Sequence, residues 1–391
     1  MDEQKVLEIL KRDAVSIFTE ETLKKKLEGG RKLKIKLGAD PSRPDLHLGH
    51  SVVLRKLRML QDLGHEIIFV IGDFTGMIGD PSGRSKMRVP LTFEQTRANG
   101  QSYFEQVTKI LDKEKTVITY NSEWLSKMNF ADVLALAGKY TLARIMERDD
   151  FAKRFAEKQP IGLHELFYPL MQGYDSVALQ ADIEVGGTDQ TFNLLVGREL
   201  QKHFGQEQQE VITFPLLIGL DGTEKMSKSL ENYIGLHEAP EIMFEKCMKV
   251  PDTLIYDYFR FTTDIATGIY ESAIKKDIRE AHFLFAREII KMYHGEAYVE
   301  PAEKRYRQIA SGKAPEKVET FNIDTAKIGI LELLRAVGYA NSNGDARRLI
   351  AGGGVKINNE IVTDSNVTIK TGEYVLSRGK NKFIKIILSG R

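Results

Sequence analysis

At 391 residues and a formal net charge of +1, the chain is long enough for two or three domains and too nearly neutral to be coated with nucleic acid along its whole surface. Hydrophobic residues make up 42% and charged residues 28%, which is typical of a globular protein with an extended core. No apolar run is long enough to cross a bilayer, and the N-terminus has no signal-peptide pattern. The single cysteine, Cys247, excludes an internal disulfide and a thiolate metal cluster. We therefore expect a cytoplasmic protein without membrane contact.

The first two-thirds of the chain alternates strand and helix patterns. Residues 33–37 alternate apolar and polar side chains, and a buried apolar run ends at Ile71 before a glycine-rich loop. Helices are predicted near 51–63, 92–111, 130–147, 162–180 and 189–204, and strands near 33–37, 66–71, 116–119, 182–185 and 211–214. This alternation favours an α/β fold with a doubly wound parallel, Rossmann-like sheet, in which ligands lie at the carboxyl ends of the strands.

The rest of the chain predicts two further regions. Helical patterns dominate from about residue 235 to 309, and a polar stretch at 311–323 is typical of a linker. Short helices at 328–337 and 345–350 and short strands near 355–357, 374–376 and 383–388 follow. We therefore expect an α/β domain at 1–234, a helical domain at 235–320 and a small α+β domain at 326–391.

Two short motifs carry the strongest chemical signal. HLGH at 47–50 lies where a loop meets a helix, and KMSKS at 225–229 lies in a polar loop. A helix start presents unpaired N–H groups that suit phosphate, and Gly49 leaves room for a nucleotide against the backbone. His47 and His50 fall on one side as hydrogen-bond donors, while Lys225 and Lys228 have the spacing to clamp a pyrophosphate. Either motif alone is compatible with helix capping or a solvated loop; together they indicate work on ATP.

The two motifs, in this order and flanking an α/β pattern, resemble the HIGH/KMSKS aminoacyl-tRNA synthetases over essentially the whole chain. HxGH also occurs in nucleotidyltransferases with a similar sheet, but those lack the KMSKS loop and the long C-terminal extension. The resemblance implies an enzyme that binds tRNA, with the region 235–320 at the anticodon. It also implies ATP as a substrate, Mg2+ carried by the nucleotide, no protein-bound metal, and a homodimer formed through the sheet domain.

A second group of residues bears on the amino acid that is used. Tyr168, Gln172 and Asp175 fall at i, i+4 and i+7 of one predicted helix, so all three point the same way. GGTDQ follows at 186–190. Isolated polar residues are usually a surface stripe, but a Tyr/Gln/Asp face on an otherwise apolar helix predicts a pocket for a ligand with an amino group and a hydroxyl.

This pattern is similar to that of the bacterial tyrosyl-tRNA synthetases, and the resemblance implies roles in tyrosine binding. Tyr168, Gln172 and Asp80 would hold the α-ammonium group, Asp175 would accept a hydrogen bond from the phenolic hydroxyl, and Gln190 would contact the amino acid.

The same resemblance implies positions beside the nucleotide. The ATP-binding set would be Gly38, Asp40, Gly49, Gly187, Asp189, Met226, Ser227 and Ser229. The catalytic set would be His47, His50, Lys225, Lys228, Arg84 and Arg88, the two arginines lying in a loop near pyrophosphate. Asn121 and Trp124 also fit the family pattern, without an evident role.

Two positions depart from the pattern. Lys36 stands where many family members have a tyrosine that shares the substrate hydroxyl, and Leu37 replaces a small polar residue. Hydroxyl recognition is therefore assigned only to Asp175, and Lys36 either pairs with a nearby carboxylate or points elsewhere. The stretch GADPSRPDLHLGH agrees with one of the two main bacterial subgroups.

The C-terminal segment is basic. Residues 326–391 contain 11 Lys/Arg and 5 Asp/Glu, a net charge of +6, whereas the remainder of the chain has a net charge of −5. Arg347 and Arg348 on a short helix, followed by a glycine-rich turn and Lys356, resemble the small RNA-binding domain shared by a ribosomal protein and RNA pseudouridine synthases. Charges on such a helix are also compatible with a solvated surface; the resemblance favours tRNA binding.

Together these features predict a tyrosine–tRNA ligase reaction. Tyrosine is activated with ATP to tyrosyl-adenylate and pyrophosphate, and the tyrosyl group then passes to the 3′ end of tRNA. Two alternatives stay open at this point: a tryptophanyl-tRNA synthetase, and a non-catalytic relative that only binds RNA. The intact HLGH and KMSKS motifs argue against the second.

Overall fold

The structure, a computed structural model, describes residues 3–28, 30–41, 46–82, 91–311, 318–379 and 382–390. The chain forms two compact units, the first made of 1–238 and 246–289, the second of 239–245 and 290–391. The boundaries differ from the three domains predicted from the sequence, because the helices after residue 235 are divided between the two units. The functional division into three domains stays a prediction.

The first unit alternates helices and strands, as the sequence predicts. The strands up to residue 214 are β1 (Ser16–Phe18), β2 (Lys34–Ala39), β3 (Glu66–Ile71), β4 (Thr116–Tyr120), β5 (Ile183–Gly187) and β6 (Glu210–Phe214). The helices up to residue 203 are α1 (Glu3–Lys11), α2 (Glu20–Leu27), α3 (Leu48–Asp62), α4 (Thr75–Ile78), α5 (Phe93–Val107), α6 (Ser122–Leu125), α7 (Phe130–Ala137), α8 (Leu142–Ile145), α9 (Asp149–Ala156), α10 (Tyr168–Leu179) and α11 (Thr191–His203).

Four more helices follow the sheet. They are α12 (Pro240–Cys247), α13 (Ile255–Thr262), α14 (Thr267–Lys276) and α15 (Ile278–His294). The residues of α13 and α14 belong to the first unit, whereas α12 and α15 each contain residues of both units. Among the residues that the structure describes, no helix is both long and apolar enough to cross a membrane.

The six strands form one sheet in the order β1-β6-β5-β2-β3-β4. The first pair, β1 with β6, is antiparallel, and the other pairs are parallel, which confirms the predicted doubly wound sheet. Residues 67–71 of β3 are all buried, as expected of a parallel strand covered on both faces. Connections diverge from β2 and β5 in opposite directions, so the crevice between their carboxyl ends is where such a sheet binds ligands.

Helix α10 begins later than the sequence predicts. Residues 163–167 form a 3-10 turn, and the α-helix starts at Tyr168 with Pro169 in its first turn, where a missing N–H costs nothing. The helix predicted at 130–147 is two short helices, because the hydroxyl of Thr141 accepts a hydrogen bond from Arg144 N at 3.3 Å and starts α8 afresh.

Helices α10 and α11 approach each other through glycines. A Cβ on Gly173 would lie 3.0 Å from both Leu200 Cδ1 and Val196 Cγ1. A Cβ on Gly197 would lie 2.9 Å from both Ser176 Oγ and Gln209 Nε2. The absent side chains therefore let α10 lie close against α11 and bring Ser176 next to β5.

The second unit contains the end of the chain. Its helices include α16 (Val299–Ala310), α17 (Ile330–Ala336) and α18 (Asn343–Ala351). Its strands are β7 (Thr320–Ile323), β8 (Lys327–Gly329), β9 (Val355–Ile357), β10 (Glu360–Ile361), β11 (Thr368–Lys370), β12 (Gly372–Arg378) and β13 (Lys382–Leu388). Five of them form a sheet in the order β10-β9-β12-β13-β7, and β8 pairs with β11.

The predicted linker at 311–323 is only partly a linker. Its last residues form β7, which pairs in parallel with β13 and so belongs to the C-terminal sheet. The sequence pattern hid this strand because it is an edge strand of four residues with exposed positions. Residues 312–317 lie outside the described residues. The small domain has its own apolar core, which includes Ile330, Leu334, Leu376 and Ile386.

Candidate active site

The loops after β2 and β3 place Asp40 and Thr75 beside the first residue of α10. Tyr168 Oη donates to Asp40 Oδ2 at 3.0 Å, and Thr75 Oγ1 donates to Asp40 Oδ1 at 2.7 Å. A Cβ on Gly72 would stand 2.1 Å from Asp40 Oδ1, so only glycine fits there. Because the hydroxyl hydrogen of Tyr168 goes to Asp40, the Tyr168 oxygen acts as an acceptor toward any further partner.

A second polar group joins α10 to the loop after α4. Gln190 Nε2 donates to Asp80 Oδ2 at 2.9 Å, and Gln172 Nε2 points to Gln190 Oε1 at 3.5 Å. Gln172 Oε1 is buried and has no hydrogen-bond partner among the described residues. Unpaired buried acceptors are rare in folded proteins, so this oxygen marks a place for a ligand donor.

Asp80 is buried yet remains ionised. Burial alone would raise its pKa, but Arg148 and the hydrogen bonds from Ser82 and Gln190 outweigh that cost and hold the pKa of Asp80 below its ordinary value. Ser82 donates to Asp80 Oδ1 from its backbone nitrogen at 2.9 Å and from its hydroxyl at 2.7 Å. The pocket therefore contains a permanent negative charge.

Asp175 lies further along α10 and is held by two donors. Trp124 Nε1 donates to its Oδ1 at 2.8 Å, and Asn121 Nδ2 approaches its Oδ2 at 3.3 Å. Burial raises the pKa of Asp175 to about 7, against the opposing effects of Lys36, Trp124 and Asn121. Asn121 also donates to Thr75 Oγ1 at 2.9 Å, which links Asp175 to Asp40. The two family positions without an evident role thus orient the predicted hydroxyl reader.

Lys36 forms an ion pair with the neighbouring strand β5. Its ammonium lies 2.8 Å from Glu184 Oε1 and is completely buried. The expectation that Lys36 pairs with a nearby carboxylate is therefore confirmed. Leu37 follows on β2, and Gly38 has no atom within 4 Å of the position that a Cβ would take, so the end of this strand is open.

The HLGH motif lies against the KMSKS loop and is hydrogen-bonded to the segment that follows this loop. Leu48 N donates to Ile234 O at 2.9 Å, and Leu236 N donates to Leu46 O at 3.0 Å. A Cβ on Gly49 would lie 3.7 Å from Met226 Cβ and 3.0 Å from the His47 ring. The start of α3 therefore faces the KMSKS loop at van der Waals distance.

Both histidines of HLGH are neutral at pH 7. Burial, the main cause, lowers the pKa of His50 to about 4 and moves the pKa of His47 well below its ordinary value, and Lys225 and Lys228 add to both shifts. His50 Nδ1 accepts from His47 N at 3.2 Å, so the ring proton of His50 is on Nε2. The motif can donate hydrogen bonds but supplies no positive charge.

The KMSKS loop supplies the positive charge instead. Lys225 Nζ lies 2.6 Å from Asp189 Oδ2, in the GGTDQ turn after β5. Lys228 Nζ lies 5.6 Å from the ring centre of Tyr233. Ser227 N donates to Asn232 Oδ1 at 2.7 Å, and Ser229 N donates to Ser227 Oγ at 3.3 Å.

The remaining predicted residues divide between the site, the tail and the part that is not described. Gly187 is close to the turn, since a Cβ there would lie 2.8 Å from Asp189 Oδ1. Arg84 and Arg88 lie outside the described residues. Arg347 and Arg348 are exposed on α18 of the second unit, and Lys356 is half-buried on β9.

Sequence reasoning missed several residues that organise the site. Arg148 is buried beside Asp80 and donates to Ser82 Oγ at 3.0 Å and to Asn193 Oδ1 at 2.8 Å. Asn232 holds the KMSKS loop by accepting a hydrogen bond from Ser227 N, and it belongs to no recognisable motif. The sequence gives no signal for the approach of Arg148 to Asp80, because these two residues are distant in the chain.

Comparison with known families agrees with this geometry. The family model described as tRNA synthetases class I (W and Y) matches residues 28–311, and the model described as the tyrosine–tRNA ligase SYY-like C-terminal domain matches residues 308–386. The first description includes tryptophan enzymes, whereas the second is specific to tyrosine.

Similar curated proteins extend over nearly the whole chain. The tyrosine–tRNA ligase of Deinococcus radiodurans is 49% identical over 396 residues, which covers 98% of this chain and 96% of that protein. The tyrosine–tRNA ligase of Mannheimia succiniciproducens is 49% identical over 387 residues, covering 97% and 98%. The tryptophanyl alternative is therefore wrong.

Solved structures share the fold. The C-terminally truncated mitochondrial tyrosyl-tRNA synthetase of Aspergillus nidulans has a TM-score of 0.65 at 22% identity and covers 78% of this chain and 94% of that chain. The tyrosyl-tRNA synthetase of Archaeoglobus fulgidus, complexed with L-tyrosine, has a TM-score of 0.60 at 25% identity and covers 78% and 99%. From the two family models and the long, half-identical alignments it follows that this chain belongs to the tyrosine–tRNA ligase family of class I aminoacyl-tRNA synthetases.

Proposed function

We propose that the pocket at the carboxyl edge of the sheet is where this ligase joins L-tyrosine to ATP. The observation that carries the proposal is the arrangement of acceptors around α10. Asp175 lies on α10 with Gln172, which joins Gln190 and Asp80, and the HLGH motif packs against Met226 of the KMSKS motif in the same unit.

Three acceptors fit the α-ammonium group of tyrosine. Asp80 provides the negative charge, Gln172 Oε1 is buried without a partner among the described residues, and Tyr168 has given its hydroxyl hydrogen to Asp40. An ammonium has three donors and no acceptor, so this set matches it in number and in charge. Gln190 orients Asp80 and Gln172 by touching both.

The nucleotide side works by positioning and charge. The attacking tyrosine carboxylate is ionised at pH 7, so adenylate formation needs no protein nucleophile. His47 and His50, both neutral, act as hydrogen-bond donors to ATP, and Lys225 and Lys228 stabilise the charge that develops on the phosphates. Gly38, Gly49, Gly187, Asp40, Asp189, Met226, Ser227 and Ser229 stay assigned to the nucleotide. Arg84 and Arg88 stay assigned to pyrophosphate.

Magnesium is expected with the nucleotide. No group of three or more His, Cys, Asp or Glu side chains suited to a metal exists among the residues that the structure describes. We propose that phosphate oxygens of the nucleotide hold the Mg2+. None of the steps above depends on it.

The basic C-terminal segment, residues 326–391 and called the tail below, is proposed to bind tRNA. Arg347 and Arg348 project from α18, and Lys356 follows on β9, within a segment whose net charge is +6. Phosphate contacts of this kind fix RNA without reading its sequence. We assign the helical region 235–320 to the anticodon end of the tRNA, and the whole reaction to the cytoplasm.

A homodimer is proposed through the helices beside the sheet. Helices α7, α8 and α9 and the 163–167 turn pack on one apolar core cluster. The same elements expose large apolar side chains to an unusual degree: Phe130, Leu134, Leu142, Phe155 and Leu163 are 57–78% exposed. Exposed apolar groups that gather on neighbouring elements indicate a surface that a second copy covers.

The first prediction tests the KMSKS lysines. Replacing Lys225 or Lys228 with Ala removes charge that acts on the transition-state phosphates, so adenylate formation should slow by about 100-fold while the Kd for tyrosine changes little. Single-turnover kinetics with tyrosine and ATP measures both quantities, and Lys202→Ala, an exposed lysine at the end of α11, is the control. Weakened tyrosine binding with an unchanged chemical rate would contradict the assignment.

The second prediction concerns the choice of tyrosine over phenylalanine. Asp175→Ala removes an acceptor for the phenolic hydroxyl, so kcat/KM for tyrosine activation should fall by about 10- to 100-fold, and the gap to phenylalanine should narrow. Pyrophosphate exchange with each amino acid gives the two values. Glu123→Ala, an exposed acid on α6, is the matched control. An Asp175 variant that keeps its full preference for tyrosine would show that another residue reads the hydroxyl.

The third prediction separates the tail from the chemistry. The double change Arg347→Gln and Arg348→Gln should raise the KM for tRNA and reduce the salt dependence of tRNA binding by about two ions, while pyrophosphate exchange stays unchanged. Lys385→Gln is the control, because Lys385 is already paired with Glu373 at 2.6 Å. Equal losses in charging and in exchange would mean that the tail supports the fold of the body instead.

The fourth prediction tests the dimer surface. Phe130→Glu places a charge on the exposed apolar surface, so the variant should sediment as a monomer where the wild type sediments as a dimer. Ile269→Glu, which changes an exposed apolar side chain on α14, should leave the mass unchanged. Analytical ultracentrifugation over a range of protein concentrations decides between the two. A wild type that is monomeric throughout rejects the proposal.

A further inference from the structure

A buried ion pair lies behind the tyrosine pocket. Lys36 on β2 and Glu184 on β5 are direct partners in the parallel register of the sheet, and their charged groups are 2.8 Å apart. Both side chains are at most 1% exposed. A charged pair this deep costs desolvation energy that an apolar pair would avoid, so its presence calls for a reason other than stability.

The ammonium of Lys36 also reaches the helix that carries Asp175. It donates to Ser176 Oγ at 2.9 Å and to Gln172 O at 3.3 Å, positions that bracket Asp175 in the sequence of α10. Ser176 Oγ in turn donates to Glu184 Oε2 at 2.9 Å, and Gln209 Nε2 donates to the same oxygen at 2.5 Å. The positive charge is therefore fixed in place by two elements and cannot turn away from α10.

The surroundings of Asp175 leave few other charges that act on it. β2 contributes Lys36 and β5 contributes Glu184, while Asn121 and Trp124 are neutral donors. Helix α4 has no titratable side chain, and Arg198 of α11 is paired with Glu210 at 3.3 Å. A protonated Asp175 would direct its O–H toward groups that only donate, yet burial favours that form.

We propose that Lys36 is a positioning residue for tyrosine recognition, whose fixed buried charge favours the ionised form of the Asp175 carboxylate, the form that can accept the hydrogen bond of the phenolic hydroxyl. The recognition part of this inference rests on the proposed role of Asp175. The electrostatic part does not, because it concerns the ligand-free protein. Glu184 has the opposite effect on Asp175 and limits the field of the lysine.

The chain contains its own reporter for the electrostatic part. Trp124 is the single tryptophan, and its indole N–H is the group that donates to Asp175 Oδ1 at 2.8 Å. A sample labelled with 15N in the indole ring gives one Trp side-chain signal. The position of that signal should follow the protonation of Asp175 in a pH titration without substrate, with a midpoint near the Asp175 pKa of about 7.

The test compares the midpoints of two opposed variants. Lys36→Met removes the positive charge and should move the midpoint to higher pH by about one unit, because the carboxylate loses its stabilising neighbour. Glu184→Gln removes the negative charge and should move the midpoint to lower pH. If the ion pair had only a structural role, the midpoints of the two variants would not shift in opposite directions.

Three controls keep the test falsifiable. Asp175→Asn should abolish the titration, which identifies the group that the indole senses. Lys34→Met removes a lysine two residues away on β2, where it donates to Leu179 O at 3.2 Å, and should leave the midpoint in place. The double variant Lys36→Met with Glu184→Gln removes both buried charges together, so it leaves no uncompensated buried charge if a single variant is unstable. Its midpoint should lie above that of the wild type, since Lys36 has the larger effect on Asp175.

Tyrosine activation supplies the second readout. In Lys36→Met the acid limb of kcat/KM for tyrosine should move to higher pH with the indole midpoint, and the loss should disappear at alkaline pH. An unchanged midpoint in Lys36→Met, or shifts of the same sign in Lys36→Met and Glu184→Gln, overturns the inference. The indole midpoints of the two variants could shift in opposite directions while the acid limb of kcat/KM for tyrosine stays in place. That result would instead reject the role of Asp175 as hydroxyl reader.

Discussion

The rest of the site depends on one constraint: carboxylates that are shielded from water have to stay ionised. Asp80, Asp175 and Asp189 all lie at the carboxyl edge of the sheet, and each has a different source of compensation. Arg148 stabilises the charge of Asp80, and Lys225 forms an ion pair with Asp189. The charge of Asp175 is stabilised by neutral donors and by the more remote Lys36. Compensation is weaker at Asp175 than at Asp80, because burial raises the pKa of Asp175 to about 7 whereas the pKa of Asp80 is lowered.

This difference in compensation separates the two halves of the pocket by function. The half proposed to face the amino group has a charge that persists over the physiological range, as attraction of an ammonium requires. In the half assigned to the phenolic hydroxyl, we propose that Lys36 favours the ionised carboxylate. Around the site proposed for the nucleotide the distribution is reversed, because two neutral histidines and two cationic side chains leave net positive charge where we expect phosphates to bind.

Much of this arrangement could be predicted from the sequence. The parallel sheet followed from alternating patterns, and the i, i+4, i+7 spacing placed Tyr168, Gln172 and Asp175 on one face of α10. The partners of these residues could not be predicted, because they come from other elements. Arg148, Asn193 and Asn232 have no periodicity or motif, and β7 is too short and too exposed to produce an apolar alternation. The sequence places Lys36 on a buried strand without indicating its partner. Only the register of β2 with β5 identifies Glu184 as that partner.

The close approach of α10 and α11 has a consequence for enzyme redesign. Gly197 touches no substrate in the proposed reaction, yet the space it leaves is filled by Ser176 and Gln209, the two residues that hydrogen-bond to Glu184. An engineer who enlarges the pocket for a tyrosine analogue with a bulkier ring substituent would therefore have to preserve a glycine on a helix outside that pocket. Libraries that vary only residues facing the ring would sample shape while leaving the electrostatic support of the hydroxyl end unaltered.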